Sequence, residues 1–419
     1  MTRDLDKVIS IKDYKIFAGP DWPSYQDIVS GKKSKNISIQ TEVDEFVNKM
    51  KQTYQEMTQI GSVVAEANQY RQQQIFYDKN YQNNDVCTIP WDTMGVNARG
   101  DVFICRSPSW VPKFVGNLLA TTDIFDILNS TIAQQIRQEI LAGRYYYCNP
   151  KICDFFSSKN LNSYQSQPVL DQQPLTFVST SDLLVDQIPK NLIFDFDYTC
   201  NFQCPSCRTE LINHNKHHVI RPINNDIVQR IKHQVIDRIA EHQLVRIRWC
   251  GGEPFISEPY TELLDYISRN EKLQIQHTIQ TNGSYLKSKS DTVERLLPTL
   301  KELRVSFDAA TADTYHRVRV NGVWDNLLNN VAWVKNLIHE KNAHTRLSAD
   351  FVVQLDNYQE IPAFVQLCKE LGIKHIYFQK MWNWGTWPQE EFDHKNIYNP
   401  DHPEYEKLVE VFKSVGRRP

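Results

Sequence analysis

From about Leu192 to Gln379, short β-prone runs alternate with amphipathic stretches. This alternation constrains the fold most, because parallel neighbours must be joined by crossovers long enough to hold a helix. Predicted strands are Leu192–Phe196, Val245–Trp249, Gln274–Gln280, Glu302–Phe307, Ser348–Val353 and His375–Gln379. Between them, Ile227–His242, Tyr260–Arg269, Thr292–Leu300, Asn326–His339 and Ile361–Leu371 carry apolar residues at helical spacing. Gly372 suits the C-cap of the last helix. The fold class expected is α/β, an open, partial barrel of the (β/α)6 kind. In such folds functional residues gather at the C-terminal ends of the strands.

The first of those ends runs into Cys200, Cys204 and Cys207 at C-x3-C-x2-C spacing, with no fourth cysteine nearby. Three thiolates suit an iron–sulfur cubane that leaves one iron open to a small molecule. Zinc is the alternative, because it takes four ligands and His214, His217 and His218 lie a few residues on. The chain has nine cysteines, seven of them in two spaced groups, which argues for metal chemistry in a reducing compartment rather than a disulfide framework. A net charge of −3 with dispersed basic residues gives no footprint for nucleic acid. No run of eighteen apolar residues exists, and the first residues lack the apolar core of a secretion signal. A cytoplasmic protein without membrane or nucleic-acid partners is expected.

Downstream, Trp249-Cys250-Gly251-Gly252-Glu253-Pro254 follows the second strand, Thr281-Asn282-Gly283 closes the third, and Ser306-Phe307-Asp308 ends the fourth. Tyr315-His316-Arg317-Val318-Arg319 comes next. In this order, over roughly residues 190–380, these motifs resemble the radical S-adenosylmethionine (SAM) superfamily. The resemblance implies that Cys200, Cys204 and Cys207 hold a [4Fe-4S] cluster whose open iron binds SAM. It implies cofactor-binding roles for Gly251, Gly252, Glu253, Pro254, Asn282, Ser306, Asp308 and Arg319. Among these, the Gly-Gly-Glu-Pro turn contacts the SAM amino group, Ser306 the ribose, and Arg319 the carboxylate. Glycines permit close backbone approach, and a guanidinium fork suits a carboxylate. The family reduces the cluster, breaks the SAM sulfur–carbon bond and uses the resulting 5′-deoxyadenosyl radical to abstract a hydrogen atom.

A second group comprises Cys87, Cys105, Cys148 and Cys153, with Gly100 four residues ahead of Cys105. It resembles the twitch or SPASM domain, a small α+β unit holding an auxiliary iron–sulfur cluster, so two [4Fe-4S] clusters are expected. Structural zinc on four cysteines is the alternative. This domain precedes the barrel here, whereas it ordinarily follows it. The expected organisation is 1–80, a segment holding one long helix near Thr41–Gln59; 81–160, the auxiliary domain with a helix about Thr131–Ala142; 161–189, a polar linker; 190–385, the radical SAM core; and 386–419, a C-terminal extension.

The resemblance further implies a ribosomally made peptide or protein as substrate, modified by cross-linking, epimerisation or backbone editing, with flavodoxin or ferredoxin as reductant. The aromatic run Met381–Trp387 is a candidate lining for a broad peptide cleft. The alternatives are a dehydrogenase of a small sugar or cyclitol and, in another class, an iron–sulfur electron carrier or SAM-binding module. Cys250 is a candidate hydrogen-atom donor, as cysteines are in some radical SAM epimerases. Cys368, on a predicted helix, reads as a small buried hydrophobe.

Overall fold

The computed structural model describes residues 85–108, 110–142, 145, 147–148, 153, 167–168, 180–214, 218, 220–270 and 272–416. The helix expected near Thr41–Gln59 lies outside them, as does most of the expected linker. In chain order the strands are β1 (Asp85–Val86), β2 (Thr93–Asn97), β3 (Asp101–Phe103), β4 (Gly116–Asn117), β5 (Gln167–Pro168) and β6 (Asn191–Asp195), followed by β7 (Leu244–Trp249), β8 (Gln274–Thr281), β9 (Leu300–Ser306), β10 (Arg346–Val353) and β11 (His375–Lys380). Strands β6 to β11 run parallel and lie side by side in sequence order. This is the α/β arrangement that the alternation predicts.

Side-chain alternation places the layers. On β7, Val245, Ile247 and Trp249 are buried while Arg246 and Arg248 are exposed. The buried set faces the helices, where Trp249 meets Tyr260 of helix Glu258–Ser268 edge-on at 5.5 Å. On β10, Phe351 packs on Phe364 of helix Ile361–Leu371 at 4.8 Å. Its neighbours of opposite parity, Ser348 and Asp350, therefore belong to the other face of the sheet. That face is polar, carrying Arg248, Glu302, Arg304, Ser306 and Asp350.

Several helix boundaries differ from expectation for local reasons. The crossover expected over Ile227–His242 starts at Arg221, next to Pro222, which suits a first turn. After Arg230 it widens into a π segment, Ile231–Val235, and closes as a 3-10 turn, Ile236–Arg238. The helix expected over Thr292–Leu300 is Ser290–Leu296. Pro298 follows and cannot extend it, so Leu300 opens β9 instead. The helix expected over Tyr260–Arg269 begins at Glu258 because Ser257 caps it, its Oγ accepting from the Tyr260 amide at 3.2 Å. The helix expected over Asn326–His339 spans Trp324–Glu340, and Ile361–Leu371 ends at Gly372 with φ +73°.

The four-cysteine segment is joined to the barrel more closely than a linker implies. β2 pairs parallel with β6 from Thr93 opposite Asn191 to Asn97 opposite Asp195. β3 and β4 continue antiparallel, giving nine strands in the order β11-β10-β9-β8-β7-β6-β2-β3-β4. Gly95 permits this junction: the Phe103 ring lies across it, 2.0 Å from where a Cβ would stand. Gly100 turns the β2–β3 hairpin at φ +78°. Within the expected linker, β5 pairs antiparallel with β1.

Further bonds tie the units together. Arg230 donates to the carbonyls of Leu118 and Thr121, and Arg238 pairs with Asp123. Arg137, fully buried on helix Thr131–Leu141, donates to the carbonyls of Pro90, Leu128 and Leu183. Burial pushes its pKa down to about 10. Arg137→Met keeps the apolar stem and leaves those carbonyls unpaired, at about 1–3 kcal/mol per orphaned buried group. The variant should unfold several degrees below the parent in a thermal scan followed by circular dichroism. An unchanged midpoint would mean that water replaces the guanidinium.

Candidate functional site

The loop after β6 and the turn after β7 are held as one piece. Gly252 N donates to Asp197 O at 2.9 Å, and Glu253 N to Thr199 O at 2.7 Å. These contacts require glycine, because a Cβ on Gly252 would stand 2.1 Å from Thr199 O, and one on Gly251, at φ +101°, would stand 2.6 Å from Asp195 Oδ1. The Tyr260 hydroxyl accepts from the amides of Phe196 and Asp197 and donates to Cys250 O at 2.7 Å. Pro254 is buried directly after the turn.

The fully buried Asp197 completes the junction. Its carboxylate accepts from Thr199 N, Thr199 Oγ1, Ser257 Oγ and His214 Nδ1 at 2.5–3.1 Å. Burial works against its charge, but His214, Ser257 and the Thr199 amide hold its pKa below the ordinary carboxylate value. His214 bonds Asp197 through Nδ1, and His218 Nδ1 accepts the Ile220 amide. His217 lies outside the described residues. Among the described residues, no three His, Cys, Asp or Glu side chains gather to hold a single metal ion.

Each of the three thiols on this loop faces an N–H donor. Cys200 Sγ receives the Phe202 amide at 3.4 Å and Asn282 Nδ2 at 3.8 Å. Cys204 Sγ receives an Arg319 Nη1 at 3.8 Å, and Cys207 Sγ an Arg208 Nη2 at 3.4 Å. Cys200 and Cys204 are buried, whereas Cys207 is exposed. Burial pushes the Cys204 pKa up to about 12 and the Cys200 pKa above its ordinary value. Amide and guanidinium donors around three thiols suit anionic thiolate ligands, and the donor set therefore fits an iron–sulfur cluster.

The downstream motifs converge on the same place. Glu253 is buried and accepts from Thr281 Oγ1 at 2.7 Å and from the Asn282 amide at 2.6 Å, which ties the second strand end to the third. Burial raises its pKa to about 7. Asp308, at φ +58°, accepts from the Val352 amide and pairs with Arg319 at 2.7 Å. The guanidinium of Arg319 thus bridges Asp308 and Cys204, and its buried Nε has no hydrogen-bond partner. Ser306 is buried at the end of β9, opposite Asp350 of β10. Neither carboxylate oxygen of Asp350 makes a hydrogen bond of good geometry, and burial raises its pKa to about 6. Arg304 stands 3.9 Å from it and lies over the Tyr377 ring.

The four upstream cysteines act on one another through charge. Burial, then the charges of Cys87 and Cys153, push the Cys105 pKa to about 12. Burial, then Cys105, Cys87 and Cys153, raises that of Cys148. Cys250 packs on Phe103, Phe114 and Ile193, donates to Phe194 O at 3.6 Å, and has its pKa pushed up to about 12 by burial. It thus lies between the auxiliary hairpin and the Gly251–Gly252 turn. Cys368 is fully buried in helix Ile361–Leu371. Sequence reasoning missed Asp197, Arg208 and Asp350. Only Arg208 carries a local signal, a cation directly after the third thiol.

The Radical SAM superfamily model matches residues 196–368, and SPASM, an iron–sulfur cluster-binding domain, matches residues 87–154. Mycofactocin maturase MftC of Mycobacterium tuberculosis (strain ATCC 25618 / H37Rv) is 24% identical over 185 residues, 44% of this chain and 43% of the maturase. The chain therefore spans less than half of that relative's length. A probable GTP 3′,8-cyclase of Saccharolobus islandicus (strain L.S.2.15 / Lassen #1) is 20% identical over 230 residues, covering 55% of this chain and 68% of the cyclase. Streptococcus suis SuiB, solved bound to S-adenosylmethionine, superposes with a TM-score of 0.38 at 14% identity, over 80% of this chain and 69% of SuiB.

Gly252→Ala places a methyl group against the backbone of Tyr198 and Thr199 and must push the cysteine loop away. If Cys200, Cys204 and Cys207 hold one cluster and the upstream cysteines another, the reconstituted variant should lose the iron of the first and keep that of the second. Iron per chain equal to the parent's would refute the role given to this contact.

Proposed function

The chain belongs to the radical SAM superfamily, with a SPASM domain ahead of its barrel, and from that premise we propose that it generates a 5′-deoxyadenosyl radical to modify a ribosomally made peptide. The observation that carries the reading is convergence: Cys200, Cys204, Cys207, the Gly251–Glu253 turn, Asn282, Asp308 and Arg319 meet at one end of parallel strands. When bound and reduced, a [4Fe-4S] cluster on the three cysteines supplies the electron that splits SAM. The residues of the chain hold and orient. Gly251 and Gly252 would let the backbone approach the SAM amino group, Arg319 would offer its unpartnered Nε to the carboxylate, and Ser306 and Asn282 would line the nucleoside side. Cys87, Cys105, Cys148 and Cys153 would hold the auxiliary cluster.

Several features support a peptide substrate. The SPASM–radical SAM pairing is that of peptide-modifying relatives, and one matched relative is named a maturase. Trp382 and Trp384 are 45% and 41% exposed just beyond β11, as a cleft lining for an extended chain requires. A small polyol is the second reading, favoured by the polar face carrying Arg248, Arg304 and Asp350. No helix among the described residues is long and apolar enough to cross a membrane. A cytoplasmic site of action, with flavodoxin or ferredoxin as reductant, belongs to the same proposal.

Anaerobically reconstituted chain should hold about eight iron atoms, enough for two cubanes, and form 5′-deoxyadenosine from SAM under dithionite. Four iron atoms with one zinc would overturn the auxiliary cluster, and absence of SAM cleavage would favour an electron carrier. A short peptide encoded beside the gene should change mass in the reaction, whereas turnover of a free cyclitol without peptide would sink the peptide reading. Cys250→Ala should abolish turnover if Cys250 is the hydrogen-atom donor, and unchanged turnover removes it from that role.

A further inference from the structure

Arg208 is 7% exposed, and its two terminal nitrogens are engaged separately. Nη1 donates to Tyr198 O at 2.9 Å and Nη2 to Cys207 Sγ at 3.4 Å. It makes no ion pair with a carboxylate among the described residues. The other guanidinium at these thiols, that of Arg319, is paired with Asp308. A buried cation without an anionic partner is costly. Here the groups that meet its two terminal nitrogens are a carbonyl, that of Tyr198, and a ligand sulfur, that of Cys207, so the sulfur is the one partner able to carry a negative charge.

We propose that Arg208 is a positioning residue that sets the reduction potential of the cluster held by Cys200, Cys204 and Cys207. The inference rests on the radical SAM reading for the presence of that cluster. Reduction places one further negative charge on an already anionic centre, so a fixed buried positive charge favours the reduced form. Net charge and hydrogen bonds to sulfur are among the factors that set such potentials. Cys207 is the exposed thiol of the three, and Arg208 gives its sulfur a fixed donor in place of water. The bond to Tyr198 O holds the guanidinium to the loop that carries all three ligands.

The test is a redox titration of the reconstituted full chain, followed by electron paramagnetic resonance and by iron and sulfide content. The signal of this cluster is identified as the one lost in Cys207→Ala. Arg208→Gln keeps a donor and removes the charge; its midpoint should fall by about 59 mV, a tenfold shift of the reduction equilibrium. Arg208→Lys, which keeps the charge, should stay close to the parent. A Gln variant with full iron and the parent's midpoint overturns the proposal. If the Gln variant loses this cluster, the Lys variant decides: full iron at the parent's midpoint supports the proposal, and loss of iron or an equal fall in midpoint overturns it. The radical SAM reading fails on a different observation, a parent signal that does not respond to S-adenosylmethionine.

Discussion

The candidate site depends on one buried carboxylate and the glycine turn docked beside it. Asp197 draws the cysteine loop, the His214 segment and the cap of helix Glu258–Ser268 onto one side chain. Gly252 and Glu253 then bond the backbone of the same loop. An ionised group sealed from solvent is tolerated only where donors surround it, and Asp197 has four. Removing any one of them affects an uncompensated charge as well as a hydrogen bond. The first two strand ends are therefore fixed relative to each other before any cofactor binds.

Charge is matched outward from this junction. The thiols are crowded and two are buried, which alone disfavours thiolate. Arg208, Arg319 and the Asn282 amide supply what burial removes. Glu253, tied to Thr281 and Asn282, and Asp308, tied to Val352 and Arg319, pass this order to the third, fourth and fifth strands. The carboxylates of the motifs thus do structural work within the chain, in addition to any contact with a ligand. Arg319 Nε stands out because it is a buried polar group that this network leaves without a hydrogen bond.

The parts of this arrangement written in local pattern were legible in the sequence. The alternation of Val245, Ile247 and Trp249 with Arg246 and Arg248 announces a one-sided strand, and Gly372 announces a helix end. The spacing of the cysteines and of the Gly-Gly-Glu-Pro turn gives their order along the strand ends. Contacts between distant segments left no such trace. Asp197 is one acidic residue among many until Ser257 and His214 fold onto it, sixty and seventeen positions away. The junction of β2 with β6 was equally silent, since β2 is a five-residue run whose partner is chosen by register and by Gly95.

That junction bears on the reversed order of the two domains. An open barrel has two edges, and an unpaired edge strand invites association. Here the edge at β6 is closed by β2, and Asn97 pairs opposite Asp195, two residues before Asp197. Phe103, two residues before Cys105, covers Ile193 and Cys250 on the same sheet. A continuous hydrogen-bonded ladder thus runs from the β2–β3 hairpin, which ends two residues before Cys105, to the strand that leads into the loop bearing Cys200, Cys204 and Cys207. A shared sheet fixes the separation of the two cysteine groups wherever the segments stand in the sequence. A domain placed ahead of the barrel gains through β2 a rigid seat at the first strand, beside the loop it would serve.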